Sequence, residues 1–389
     1  MTKAHSISVD KFIERYGGLV PGQSSPLWTE QRTHIPAAIA AGDWQWIATL
    51  YDRIEKNSPA AFHIVRNDAL FALAFVRDQR ALDAFVERVR RAPSWRNGFD
   101  KSGRGWPRKL GALLGCALDV ERLEYLLETY GDSVDLRETL LCAVQELVSL
   151  QEPVERSAIV ARFWRRVTIE PHALAGLPLT LLEIEKGLRK RWTTPEPDLL
   201  GNWFWFTESF TTHGAANGEP LKRAVIEREH PFDAALEAQI ASGLCDEMSF
   251  PNGTREVRTF AIREQLGPIS VRGLPLECIA SEPEPLVELP RSARATLGAL
   301  WSLFTQGGAY AEGRSAAYGR ALAWQSLAGL CAAPASAELA AIDEQAARSW
   351  FTAFASESPW FAHVCLDVGI TCTRSDGRSL AVFAATDSD

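Results

Sequence analysis

A chain of 389 residues is too long for one ordinary core and predicts two domains, at most three. Its 46% apolar and 23% charged residues are the balance of a soluble globular protein with large buried cores. A net charge of −8 argues against a general nucleic-acid binder, though it leaves room for a local basic patch.

Met1–Val9 has no apolar stretch of the kind that marks a secretory signal, and no apolar run reaches the length of a membrane span. The seven cysteines are odd in number and scattered, with no C-x-x-C. They read as buried thiols of a cytoplasmic protein, and predict neither a disulfide frame nor a metal site nor a bound cofactor. Asn252-Gly253-Thr254 fits a glycosylation sequon but reads as a turn. Charge is uneven along the chain: residues 1–110 are net basic and the remainder is net acidic.

From residue 35 to about 192 the pattern predicts helix after helix, a mainly α half. Ala60–Phe75 and Gln79–Arg91 carry apolar residues at helical spacing, and Pro107–Leu118 and Val120–Tyr130 repeat the pair. Leu82, Phe85, Val86 and Val89 align with Leu123, Leu126, Leu127 and Tyr130 at an offset of 41 residues. Asp78 and Asp119 align at the same offset, each placed to cap a helix. Leu136–Leu147 and Pro153–Val167 make a third pair. This period predicts either a HEAT-like array or an irregular bundle over residues 1–192. The prolines of Thr193–Asp198 mark a linker over 193–202.

Residues 203–389 read as an α+β domain with a small sheet. Met248–Ile262 predicts one or two strands, and Ser270–Ile279 a short extended piece. Ser281–Pro290 reads as a loop, and Phe232–Leu244, Ser292–Phe304, Ser315–Leu330 and Glu338–Ala355 as helices. Trp360–Thr373 fits either period, with the helix preferred. Asp376-Gly377 marks a turn before a strand at Leu380–Ala385.

Several constellations could carry chemistry. Gly308–Ser315 has the spacing of a phosphate loop, but a helix precedes it and Glu312 opposes an anion. His363 and Asp367, four residues apart with Cys365 between, could form half of a nucleophile or metal system. A His satisfied by a neighbouring carboxylate is the preferred reading of the pair. Arg88–Lys109 interleaves cations with Trp95, Phe99 and Trp106. Arg91, Trp95, Arg96, Arg104 and Trp106 are therefore binding candidates, for an acidic protein partner or for nucleic acid. Trp203–Phe206 predicts an aromatic interface, followed by Glu208 and His213.

The closing block resembles an uncharacterised bacterial family of unknown function. The resemblance rests on Gly307–Tyr310, Ala317–Arg320 with Trp324, Trp360-Phe361, Asp367–Gly369, Asp376–Arg378 and Ala384–Asp387, and covers about residues 292–389. It implies no established activity. The residues to inspect for catalysis are Tyr318, Arg320, His363 and Asp367, with Tyr310 and Asp387 lining any shared pocket, although the resemblance counts against a site centred on His363. The preferred expectation is a non-catalytic interaction or accessory protein, of the immunity type for instance, that uses its helical surface on a protein partner. The alternatives are an enzyme or small-ligand binder in the C-terminal domain, and nucleic-acid contact through residues 88–109.

Overall fold

The computed structural model describes residues 7–16, 25–57, 63–91, 105–169, 171–191, 204–206, 221–244, 253–263, 267–279, 286–306, 315–334, 336–356, 358–361 and 366–387. The chain forms two compact units. The first comprises Met1–Leu147, Glu152–Phe163 and Arg191–Trp205, and the second Val148–Gln151, Trp164–Lys190 and Phe206–Asp389. The expected linker at 193–202 lies outside the described residues, and Trp164–Lys190, upstream of it, groups with the second unit.

Helices account for the first unit: α1 (Val9–Tyr16), α2 (Ser25–Ala41), α3 (Trp44–Asn57), α4 (His63–Phe75), α5 (Gln79–Arg91), α6 (Gly105–Ala117), α7 (Val120–Tyr130), α8 (Arg137–Ser149) and the start of α9 (Ala158–Thr168). The repeated aspartates act as the offset predicts. Asp78 accepts from the Arg80 amide at 2.9 Å and Asp119 from the Arg122 amide at 3.0 Å. Each satisfies an orphan N–H of the helix it opens. The two corners also dock together. Arg122 donates to the Ala117 carbonyl at 3.0 Å, and across to Ala74 and Val76 at 2.9 and 2.8 Å. One guanidinium thus closes the carbonyl ends of both α4 and α6.

Helix α6 meets α8 at very close range. A Cβ on Gly111 would fall 2.3 Å from Cys142 Cβ, and one on Gly115 would fall 2.2 Å from Glu146 Cβ. The four-residue spacing puts both glycines on one face, so hydrogen there is a condition of the packing.

The helical expectation fails after Thr168. Residues 171–188 are turns ending in a 3₁₀ turn at Glu183–Glu185. Pro171 and Pro178 supply no backbone N–H, and Gly187 sits at φ 73°. Upstream, Pro153 precedes a 3₁₀ turn (Val154–Arg156), and Ser157 caps α9 by accepting from the Val160 amide at 3.1 Å.

The second unit contains strands β1 (Arg189–Arg191, its last residue in the first unit), β3 (Lys222–Arg223), β4 (Ile226–Glu229), β5 (Thr254–Ile262), β6 (Ile269–Ser270), β7 (Leu286–Arg291), β8 (Trp350–Ser356), β9 (Leu366–Thr373) and β10 (Ser379–Asp387). Strand β2 (Phe204–Phe206) comes from the aromatic run. Helices α10 (Ala234–Ile240), α11 (Ala293–Gln306), α12 (Ser315–Cys331) and α13 (Leu339–Ala347) complete the unit. Six strands form one antiparallel sheet in the order β4-β5-β10-β9-β8-β7.

Strand β10 is buried on both faces. Leu380, Val382 and Ala384 join a core with Phe260, Ile269 and Phe361. The alternate residues Ala381, Phe383 and Ala385 lie on the opposite face, where α12 packs over β9 and β10. The structure differs from the sequence reading at three strands, and at two of them, β8 and β9, such double burial is the reason. Trp360–Thr373, read as helix, contains β9; Glu338–Ala355 divides into α13 and β8; and Ser281–Pro290, read as loop, ends in β7. Strands covered on both sides lose their polar–apolar alternation. Strand β7 keeps Pro290 because it is an edge. Gly369 on β9 has no room for a side chain: a Cβ would stand 2.5 Å from the Phe354 carbonyl and 2.6 Å from its ring.

Among the described residues no helix is long and apolar enough to cross a membrane.

Candidate functional site

The block Ala317–Trp324 lies on α12 and is almost entirely buried. Gly319 lets α11 approach, since a Cβ there would lie 2.3 Å from Thr305 Oγ1. Arg320 and Trp324 are one helical turn apart and reach the same carboxylate. Arg320 Nε and Nη2 hold Glu185 Oε1 and Oε2 at 2.6 and 2.8 Å. Trp324 Nε1 donates to Glu185 Oε1 at 2.9 Å, and the Leu182 amide donates to Oε2 at 2.8 Å. Arg320 also caps the carbonyls of Pro178 and Thr180 at 3.1 and 2.9 Å. Neither Arg320 nor Glu185 has any exposed side-chain surface.

This cluster is a clasp. It fastens the irregular segment 171–188 to α12, with Arg294 assisting through the Ile184 carbonyl at 2.8 Å. A bidentate pair with every carboxylate oxygen occupied and no access to solvent offers nothing to a substrate. Arg320 therefore serves architecture, and the same holds for the resemblance-bearing Gly319 and Trp324. Sequence reasoning missed Glu185, because it stands in a stretch that reads as helical, far from α12 in the chain.

Each of the other described candidates has its own setting. Tyr318 is buried against His172, their rings 6.4 Å apart. Asp367 accepts from Thr386 Oγ1 at 2.8 Å across the β9–β10 pair, and Asp387 is buried at the end of β10. His363, Cys365, Tyr310 and the loop residues 307–314 lie outside the described residues, as do Trp95, Arg96, Arg104, Trp203, Glu208 and His213. Ser315 opens α12 at φ 66° after a helix, not after the strand a phosphate loop requires. Among the described residues no group of three His, Cys, Asp or Glu side chains could hold a metal. Burial drives the Cys142 and Cys372 thiols well above their usual range, which makes them poor nucleophiles.

An open site exists in the helical unit. A cleft of about 850 Å³ is lined by Trp44, by Arg80, Asp83, Glu87, Arg88, Arg90 and Arg91 along α5, and by Tyr130 and Asp135. Of the sequence-predicted binders Arg91 belongs to it, whereas Trp106 stacks on Phe71 at 5.9 Å. Most of its charges are already matched. Arg80 pairs with Asp78 at 2.7 Å and lies over the Trp44 ring; Arg91 pairs with Glu87 one turn back. Arg88, only 7% exposed, pairs with Asp52, donates to the Ala84 carbonyl and stands over the Tyr51 ring. Asp83 accepts from Tyr130 at 2.7 Å and from Tyr125 at 2.9 Å. Burial first, then the Asp83 carboxylate, pushes both phenols above their ordinary range, so both remain protonated donors.

Arg90 and Asp135, both exposed, have no ion-pair partner among the described residues. Both line the cleft together with Tyr130.

No curated protein and no solved structure matches this sequence. A family model does, and it extends far upstream of the block on which the resemblance rested: over residues 29–389 the chain belongs to a family of unknown function, DUF6183.

Proposed function

We propose that this chain is a non-catalytic binding protein whose helical unit receives a polypeptide segment in the α5–α7 cleft. The observation that carries the reading is the contrast between two sets of polar residues. Those of the signature block are sealed into a clasp, while the cleft presents aromatic surface with one unmatched charge of each sign. A segment offering a carboxylate to Arg90 and a cation to Asp135, with apolar contact on Tyr130 and Trp44, complements that pattern.

The charge inventory favours polypeptide over nucleic acid. Three of the four cleft arginines are already paired, and Asp83, Glu87 and Asp135 would repel a phosphate backbone. Immunity-type or accessory activity is the biological form that such a binder would take.

The test is affinity capture from cells that naturally express the chain, run in parallel with Arg90→Glu and Asp135→Lys. Support requires a discrete protein retained by wild type and released by both variants, each still folded by circular dichroism. A partner set unchanged by both substitutions would overturn the assignment to this cleft. Retention of nucleic acid in place of protein would overturn the polypeptide reading.

A further inference from the structure

Among the described residues five cysteines are free thiols, and two of them meet. Cys372 lies on β9 opposite Ala381 of β10, and so shares the face of the sheet that α12 covers. Arg374, the next residue on that face, continues the β9–β10 pairing by donating its amide to the Ser379 carbonyl at 2.8 Å. Its guanidinium reaches the last turn of α12 and donates to the Leu330 and Gly329 carbonyls at 3.2 and 3.3 Å. Cys331 closes that turn. Gln345 fixes the same corner from α13, donating to the Cys331 carbonyl at 3.2 Å and to Ser375 Oγ at 3.0 Å. The result is thiol-to-thiol contact between Cys331 and Cys372.

Both side chains are fully buried. Solvent is close all the same. Ala332, the residue after Cys331, is exposed, and so is Asp376 in the turn that follows β9. Arg374 also places a positive charge beside both sulfurs, which opposes the effect of burial on the Cys372 thiol. A cation next to a thiol is the setting in which cysteines react.

We propose that Cys331 and Cys372 form a redox lock, in which a peroxide joins the end of α12 to β9 through a reversible disulfide. A small opening of this corner admits hydrogen peroxide, which is little larger than water. The Cys331 sulfur attacks one peroxide oxygen. The O–O bond breaks, an S–O bond forms, and the departing hydroxide takes the thiol proton and leaves as water. Cys372 is slow toward an oxidant in solution, but the sulfenic acid now in contact with it makes the second step intramolecular. The Cys372 sulfur displaces the sulfenic hydroxyl, which takes the Cys372 proton and leaves as a second water. Two thiols have then given two electrons to one peroxide, and a dithiol reductant restores them. The bond closes a loop of about 40 residues and ties the helix of the Arg320 clasp to the sheet, so oxidation makes the second unit harder to unfold.

The experiment treats the folded full chain with excess hydrogen peroxide, blocks the remaining thiols under denaturing conditions, and maps the peptides by mass spectrometry without reduction. A peptide pair linked through Cys331 and Cys372 is expected, and it should separate on adding dithiothreitol. Thermal unfolding without reductant should rise by about 10 °C on oxidation and fall back on reduction. Cys331→Ala and Cys372→Ala, each compared with its own untreated protein, should show neither the link nor the rise. A folded wild-type chain in which the two thiols stay free, or are oxidised singly, overturns the proposal. So does a link that leaves the unfolding temperature unchanged, or a rise that persists in either variant.

Discussion

Substituting Glu185 with Ala removes the acceptor at the centre of the α12 clasp. Arg320 would keep the Pro178 and Thr180 carbonyls but would remain a buried cation with no counter-charge. Breaking one side of a buried pair costs about 3–5 kcal/mol. The Trp324 and Leu182 N–H groups would also lose their acceptor, at about 1 kcal/mol each. The sum is comparable to the ~5–15 kcal/mol that holds a typical domain together. Urea unfolding followed by indole fluorescence measures it, since Trp324 and Trp301 are both buried in this unit. Glu185→Gln keeps one acceptor oxygen but loses the charge and sets an NH2 against the donors at the other position, so it should recover little of the loss seen in Glu185→Ala. Pairing Glu185→Leu with Arg320→Met removes the stranded charge and should recover part of the loss. Recovery stays incomplete because the two carbonyls then lack donors. A Glu185→Ala protein within about 1 kcal/mol of wild type would refute the clasp as a source of stability.

Three further outcomes follow from the geometry. Gly115→Ala drives a methyl into Glu146 and should cost about 1–3 kcal/mol by thermal unfolding, whereas Gly42→Ala meets no neighbour and pays only for its φ of 68°. Asp119→Ala uncaps α7 and should cost about 1 kcal/mol by the same assay. Tyr125 and Tyr130 are raised above 10.0, so their contribution is complete below that pH and disappears as pH climbs through the raised values. Absorbance titration should show late-ionising tyrosines, and Tyr130→Phe should remove one of them.

What the sequence disclosed was local. The α5 and α7 boundaries and both aspartate caps follow from spacing within one or two turns. The Asp376-Gly377 turn was equally plain, with Asp376 accepting from the Arg378 and Ser379 amides. The failures at β8, β9 and Glu185 have one cause, which is burial imposed by distant chain. Strands β8 and β9 lack alternation because helices cover one face and a second core the other. Glu185 gave no sign of its role because its partners are brought to it by tertiary folding. Arg320 stands out in the sequence, but only its surroundings tell a clasp from a catalyst. In the cleft, Asp83 and Tyr130 were legible as helix residues and not as neighbours. Arg88–Lys109 looked more basic in one dimension than its described part is in three, where carboxylates from α3 and α5 answer Arg88 and Arg91.

Strand β10 lies between β5 and β9, yet it follows β5 only after α11, α12 and α13 have been made. During synthesis the β4–β5 pair, whose strands flank α10 in the chain, therefore exists without the strand that joins it to β7, β8 and β9. Its inner edge has apolar residues to hide and nothing to pair with. The sheet cannot assemble progressively from one side; it closes in a single late event when its seam arrives. Non-local closure of this kind is slow. A nascent chain of this protein thus passes through a long interval in which half a sheet must be kept from finding the wrong partner.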